Sequence, residues 1–333
     1  SNQTANYNTA IGYDAGKNIT TGPSNVCVGG FCGDAITDGQ ENTAVGYSSL
    51  SAGTSVRYDT AVGRGALQNT TGWHNTAVGY HALQSNTSGQ YNAAFGSGAL
   101  DENTSSYNTG LGHRALYITT SGGYNTAVGA NSLDANTTGA QNVALGYNSL
   151  GANTTGQYNV AIGSACGDEI TTGSYNVAVG NNAADNITTG SMNTCLGQDA
   201  GKSITTGENN IMIGLDAGRS NSPSGDVSTV DHRVCIGDNQ ITNAHVKVDW
   251  TVGSDQRDKT DIQDITTGLS FVNQLKPKSF WFAKERGSAE KHGDKKYGFL
   301  AQDILALEGS DPVIINNKDE DSLKYQGSHL IPI

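Results

Sequence analysis

A serine and a lysine five residues apart are the pair in this chain whose types and spacing indicate covalent chemistry. They are Ser254 and Lys259, and Gly253 stands immediately before the serine. A turn, or the first turn of a helix, brings residues at this spacing together. The lysine amine can then accept the proton of the serine hydroxyl, provided that burial or a nearby cation lowers the lysine pKa. Gly253 leaves room for attack of the serine oxygen on its carbonyl carbon.

Two acidic neighbours oppose this chemistry. Asp255 and Asp258 would keep the amine charged if they approached it. Taken alone, a serine and a lysine at this spacing are usually a capping serine and a solvated lysine. The pair therefore predicts catalysis only if the surrounding sequence supports it.

The pair lies where the composition of the chain changes. Residues 1–253 contain 8 of the 19 lysines and arginines, 18 of the 31 acidic residues and 38 of the 44 glycines. Residues 254–333 contain the other 11 basic and 13 acidic residues in less than a third of that length, as in an ordinary globular domain. The net charge of −12 argues against nucleic acid and an anionic membrane surface as partners. No apolar run is long enough to span a bilayer.

A motif of the type N-T-A-V-G recurs through the first part with a 17-residue period. Of the twelve intervals between the glycines that close it, ten share this length and two are one residue shorter. A fixed short period that continues from Gly12 to Gly214 predicts a solenoid, whose units bury their surface on their neighbours. The closing glycines are Gly12, Gly29, Gly46, Gly63, Gly79, Gly96, Gly112, Gly129, Gly146, Gly163, Gly180, Gly197 and Gly214.

Each repeat predicts one coil of a β-roll. Thr9 and Ile11 alternate with Ala10 and Gly12, which indicates a strand. A second apolar segment suggests another short strand, and the T-T-G stretch supplies turn residues. Successive coils are expected to stack in parallel about 4.8 Å apart. The small-residue face of the strand is expected to meet another chain, because it allows close backbone approach.

The repeat resembles the head region of trimeric autotransporter adhesins, in which short N-x-A-I-G-like repeats form β-rolls packed three around an axis. The resemblance covers residues 1 to about 220, although the period here is longer than expected for those heads. It implies a homotrimer. Because the chain begins at Ser1 within repeat-like sequence, we expect a piece of a longer polypeptide.

Tyrosines and cysteines recur at fixed places in the repeat. Stacked coils would align the tyrosines into ladders, which either bind sugars or pack at corners and between chains. The five cysteines replace small residues of the repeat and are expected to be free structural thiols. No spacing of histidines or cysteines predicts a metal site, and no cofactor motif is present. The tyrosines that precede the repeat Asn or its Asp equivalent are Tyr7, Tyr58, Tyr91, Tyr107, Tyr124, Tyr158 and Tyr175.

After the repeats the sequence predicts a small α+β domain. We expect a helix from Thr267 that Pro277 ends, a strand over 279–283, a charged loop over 285–296 and a strand over 297–300. A helix around 302–307 and strands over 313–315 and 323–325 follow.

Four sequence pieces in this domain support the Ser254–Lys259 pair. They are S-D-x-R-x-K-x-x-I at 254–262, L-K-P-x-x-F at 275–280, Y-G-F-x-A-Q-D at 297–303 and Y-x-x-x-x-L-I-P at 325–332. Together they resemble the C-terminal intramolecular chaperone of phage tail spikes and tail fibres, first recognised in endosialidases and known as peptidase S74.

The resemblance implies that the domain trimerises, assists folding of the preceding fibre and then cuts itself off before the serine. Ser254 would be the nucleophile, Lys259 the base and Gly253–Ser254 the bond that is cut, once per chain. Two features depart from the family. Asp258 stands where an apolar residue is often found, and the chain stops where the family continues into a long helix.

We therefore predict a mainly β protein in three segments: a trimeric β-roll shaft in 1–225, a degenerate last coil and linker in 226–253, and a C-terminally truncated chaperone in 254–333. The leading hypothesis is a virion tail-fibre or tail-spike shaft that attaches to a host receptor or glycan. The alternative is a trimeric adhesin on a cell surface. A glycan-degrading spike lacks a visible catalytic motif. No cofactor and no metal are expected.

Overall fold

The computed structural model describes residues 5–241, 269–283, 289–308, 315–316 and 324–325. The chain divides into two compact units, Ser1–Asp238 and Asn239–Ile333. In the first unit, fourteen strands of three residues form one parallel sheet in chain order. They are β1 Thr9–Ile11, β2 Val26–Val28, β3 Thr43–Val45, β4 Thr60–Val62, β5 Thr76–Val78, β6 Ala93–Phe95, β7 Thr109–Leu111, β8 Thr126–Val128, β9 Val143–Leu145, β10 Val160–Ile162, β11 Val177–Val179, β12 Thr194–Leu196, β13 Ile211–Ile213 and β14 Val234–Ile236.

The register of this sheet follows the repeat. Ala144 pairs with Ala127 on one side and Ala161 on the other, so each strand residue lies beside its own equivalent. The predicted parallel β-solenoid with a 17-residue spacing is confirmed. The last pairing, between β13 and β14, joins Met212 to Cys235 across a longer stretch of sequence, because the chain inserts a loop before the final coil.

Each described coil contains one strand, so the expected second strand is wrong. The second apolar segment is a turn in which a leucine adopts a left-handed backbone conformation. Leu83 and Leu133, for example, have φ angles of 51° and 52° and are fully buried. These leucines enter the core from a turn rather than from a pleated strand, which explains how so short a repeat closes a complete coil.

The small residues of the strands face the interior of the chain's own coil. Ala127 and Ala144 are 0% exposed, whereas Val143 and Leu145 on either side of Ala144 are 38% and 45% exposed. The expectation that the alanine face meets another chain is therefore wrong. Alanine is needed there because a leucine from the turn, such as Leu133, fills the same narrow core.

A column of buried asparagines links each coil to the next. The side-chain oxygen of Asn142 accepts a hydrogen bond from the backbone N–H of Asn159 at 2.9 Å, and its amide nitrogen donates to the carbonyl of Gly156 at 2.9 Å. The same two bonds recur at Asn125, Asn159 and most other members of the column. These bonds satisfy polar groups that the stacked coils remove from water.

The glycine that closes each motif is required by both conformation and space. Gly146 has a φ of +140°, and a Cβ atom at this position would collide with the carbonyl oxygen of Gly163 in the next coil. L-residues rarely adopt this φ, and the coils could not stack at their present spacing with a side chain between them.

The second unit contains, in its described residues, two short helices and two antiparallel strand pairs. The helices are α1 Leu269–Val272 and α2 Ala301–Glu308. Strand β15, Lys278–Ala283, pairs with β16, Lys291–Gly298, and β17, Ile315–Asn316, pairs with β18, Lys324–Tyr325. The small helix-and-strand region is confirmed in kind, but its bounds differ from the prediction. Residues 291–296 belong to β16 rather than to a loop, β16 ends at Gly298, and α1 ends at Val272, well before Pro277. Pairing with β15 overrides the charged composition of residues 291–296. Residues 267–268, 313–314 and 323 lie outside the described part of the chain.

One member of the asparagine column is an aspartate, and it predicts a pH dependence. Asp59 is 1% exposed, its Oδ1 accepts the Asn75 N–H at 2.7 Å, and its Oδ2 is buried without a hydrogen-bond partner. Burial raises its pKa from 3.8 to about 7. Between these two values the folded chain holds a proton that the unfolded chain releases, so the free energy of unfolding falls as the pH rises.

Asp59→Asn is expected to raise the free energy of unfolding by roughly 2–4 kcal/mol at pH 8 and to change it little at pH 4. Unfolding followed by circular dichroism at the two pH values measures this difference. Asn142→Asp is the matched reverse change, five coils from Asp59, and should introduce a pH dependence of the same sign. An equal effect of Asp59→Asn at both pH values would contradict the explanation.

The inward position of the strand alanines gives a second prediction. Ala127→Leu should destabilise the coil itself by about 1–3 kcal/mol, because the core has no space for a larger side chain. Val128→Leu on the neighbouring outward position should change the stability by less than about 0.5 kcal/mol. Thermal unfolding of the two variants measures both changes in stability. Equal effects would mean that the strand faces are assigned the wrong way round.

Candidate functional site

The residues predicted for self-cleavage lie outside the described part of the chain. Gly253, Ser254 and Lys259 all fall within residues 242–268. Their roles therefore remain predictions.

The described parts of the domain form a small apolar core. Phe271 of α1 and Ile304 of α2 are its buried members, 8% and 1% exposed, and Leu275, Phe299 and Leu307 pack against them. Leu275 belongs to the L-K-P-x-x-F piece and Phe299 to the Y-G-F-x-A-Q-D piece. Two pieces that are separate in the sequence thus meet in one core, and their apolar members serve packing.

The hairpin of β15 and β16 presents aromatic rings under lysine side chains. The ammonium of Lys291 lies 4.0 Å from the centre of the Trp281 ring, and that of Lys295 lies 5.4 Å from the same ring. Lys295 also lies 5.6 Å from the Tyr297 ring. Trp281 is 39% and Tyr297 is 80% exposed, so the hairpin carries a cationic, aromatic surface.

The tyrosines before the repeat Asn form the expected ladder on the solenoid surface. The rings of Tyr91 and Tyr107 stack with centres 5.1 Å apart, and those of Tyr107 and Tyr124 with centres 4.8 Å apart. A second, shorter ladder joins Tyr158 and Tyr175 at 4.8 Å. Each of these residues has a φ near +60°, a conformation that aims successive rings outward in the same direction.

Sequence reasoning missed one member of the ladder. The ring of His74 stacks between those of Tyr58 at 4.7 Å and Tyr91 at 4.9 Å. The sequence feature that indicates its membership of the ladder is its position in the repeat, immediately before Asn75. The long ladder therefore contains five rings in consecutive coils.

The outward positions of the strands form an exposed aliphatic stripe. At these positions β9 carries Val143 and Leu145, and β13 carries Ile211 and Ile213, all between 38% and 45% exposed. No outward strand position carries a charged residue, and threonine replaces the aliphatic residue at some of them, such as Thr126 and Thr194. The other exposed aliphatic members of the stripe are Ile11, Leu111, Ile162, Val177, Val179, Val234 and Ile236, and the aromatic Phe95 holds the equivalent place in β6.

The cysteines are free and buried, as predicted. Burial raises the pKa of Cys166 and of Cys195 to about 12, so neither thiol is reactive near neutral pH. Among the residues that the structure describes, no group of three or more His, Cys, Asp or Glu side chains is arranged to hold a metal ion. No helix in the same part of the chain combines the length and apolar character of a membrane span.

Comparison with known proteins assigns the C-terminal domain. The model of the Peptidase S74 family, described as the chaperone of endosialidase, matches residues 254–309. No curated protein and no solved structure matches the chain. The family match begins at Ser254 and includes the core of Phe271, Leu275, Phe299 and Ile304. Residues 254–309 thus match the chaperone-of-endosialidase family and follow a parallel β-solenoid of 17-residue coils, a combination that fits a tail fibre with a C-terminal chaperone.

Proposed function

We propose that this protein is the shaft of a homotrimeric tail fibre of a virion, and that it takes part in attachment to the host cell. The observation that carries the proposal is the chaperone-of-endosialidase match directly after a β-solenoid. Such a chaperone is useful to a chain whose strands all pair with neighbours in other coils, because an exposed strand edge in a half-folded chain invites aggregation.

The aliphatic stripe supports self-association. An aliphatic surface repeated from coil to coil costs free energy in water and marks an interface when it is continuous. A second and third copy of the chain repeat the same stripe at the same spacing, so three solenoids arranged around one axis bury it in a closed, symmetric contact. The interface is thus the outward strand face rather than the alanine face.

The assembly contact can be tested on the outward residues of β9. Val143→Glu with Leu145→Glu should convert trimers to monomers, because the interface would have to bury two charges in each chain. Val143→Thr is the control, since Thr126 occupies the same position in the preceding coil. Light scattering gives the oligomeric state, and circular dichroism tests whether the coils remain. A trimer that survives both glutamates would overturn the assignment of this face.

The chaperone domain is proposed to cut the chain once, at the Gly253–Ser254 bond. The hydroxyl oxygen of Ser254 attacks the carbonyl carbon of Gly253 while the Lys259 amine takes the hydroxyl proton. The proton passes to the leaving amine of Ser254, and water then hydrolyses the ester to release the shaft. Assembly aligns the pair, so cleavage follows correct folding and makes assembly irreversible.

Ser254→Ala and Lys259→Ala are each expected to leave a full-length chain in complete trimers, because either change removes one partner of the reaction. Intact-mass measurement of the purified protein detects the uncut chain and the new N-terminus at Ser254. Asp261→Ala, also within the first sequence piece, is the control and should still be cut. Cleavage in both Ser254→Ala and Lys259→Ala would exclude the dyad while leaving the folding role intact.

A trimeric adhesin on a cell surface is the second candidate, favoured by the resemblance of the repeat to adhesin heads. Antibodies to the solenoid decide between the two by labelling either purified virions or the surface of the producing cell.

A further inference from the structure

A groove of about 590 Å³ lies beside the ring ladder, where residues 105–141 pass through three consecutive coils. Its walls carry the rings of Tyr107 and Tyr124 and the hydroxyls of Ser105, Ser106 and Ser121. This volume falls within the range of small-molecule sites, and the combination of aromatic surface with a few polar groups is typical of them.

The groove exists because side chains are truncated at one place in the repeat. Two positions before the repeat Asn, the coils on either side carry Gln90 and Gln157. The three coils between them carry Ser106, Gly123 and Ala140 at that position. The missing side chains open a space along the rings that spans two coil steps, about 10 Å.

The ladder ends inside this groove. Tyr124 is the last of the five stacked rings, and the same position in the next coil is Gln141, which also lines the groove. Tyr124 is consequently 61% exposed, against 48% for Tyr107 and for Tyr91, which have a ring on both sides. The groove therefore combines an uncovered aromatic face with an amide and several hydroxyls.

We propose that this groove binds a short neutral oligosaccharide. Apolar C–H faces of sugar rings pack on an uncovered aromatic face such as that of Tyr124, while sugar hydroxyls hydrogen-bond to side chains such as Ser106 and Gln141. Among the described residues, none that lines the groove is charged, and the chain carries a net charge of −12, so an acidic glycan has no cation to pair with there. This ligand class rests on the attachment role proposed above.

The competing occupant is a second copy of the chain, since the ladder lies next to the strands. The two occupants differ in their consequences for the assembled protein. A saccharide site is open to solvent in the trimer, whereas an interface is closed. Ala140→Cys reports on this directly when its maleimide labelling is compared with that of the unmodified protein, whose five cysteines are all buried.

The binding test uses the purified, assembled protein on an array of neutral hexose and N-acetylhexosamine oligosaccharides, with sialylated oligosaccharides as acidic comparison. Calorimetry then measures the affinity for the best neutral oligosaccharide. Ala140→Gln, which closes the groove, and Tyr124→Ala, which removes the uncovered ring, should each weaken binding by about tenfold or more. Glutamine at this place is compatible with the coil, because Gln90 and Gln157 already occupy it.

Two matched controls separate binding from folding. Ser174→Gln makes the same kind of change two coils beyond Ala140, and Tyr58→Ala removes the ring at the opposite end of the same ladder. Both should bind with unchanged affinity. The proposal is overturned if no neutral oligosaccharide binds, if sialylated ones bind better, if Ala140→Gln binds normally or if Ala140→Cys is shielded in the trimer. Binding without adsorption of the protein to host cells would instead refute the attachment role and leave the site standing.

Discussion

The solenoid depends on the buried asparagine column. Each member joins the start of its own coil to the start of the next through one side chain, with its oxygen accepting from a backbone N–H and its nitrogen donating to a carbonyl. Because these groups are fully buried, leaving one without a partner costs about 1–3 kcal/mol. The coil length is thereby held constant, apart from two coils that are one residue shorter and the last coil, before which a loop is inserted. Asp59 marks the place where the column is weakest, since a charged carboxylate there has an oxygen that nothing satisfies.

This constraint determines which surfaces remain for function. Each short coil encloses only a few apolar side chains, such as Ala77, Ala82 and Leu83 in one coil, and most other large side chains point outward. The outward strand positions become an aliphatic stripe, and the positions before the asparagine become a ring ladder. Surface features of such a chain run in columns, because residues at one repeat position lie along the same strip. A groove arises where one column is truncated in three consecutive coils.

The two units of the chain are stabilised by different kinds of contact. The strands of the solenoid pair only with their equivalents in adjacent coils. In the proposed trimer, other copies of the chain bury its outward aliphatic stripe. The chaperone domain has its own small core of aromatic and aliphatic residues, to which separate sequence pieces contribute. The chaperone role proposed above, in which the domain holds chains together while their coils stack, requires such a separate core.

The period, the parallel stack, the ladders and the identity of the C-terminal domain could all be predicted from the order of the residues. Each follows from identical residues recurring at identical places, or from short motifs that are recognisable without coordinates. Which strand face lies inside could not be predicted in this way. Alternation separates Ala144 from Val143 and Leu145, but both faces are apolar, so the pattern does not choose between them.

Packing in three dimensions makes that choice, because the leucines arrive from left-handed turns and leave room only for a small side chain on the strand. The larger Cys27, Cys195 and Met212 occur where glycine replaces the turn leucine. Packing also places His74 among the tyrosines and brings truncated side chains of neighbouring coils into one groove. Both features depend on which residues stack on one another, and that is fixed only when the coils close and align.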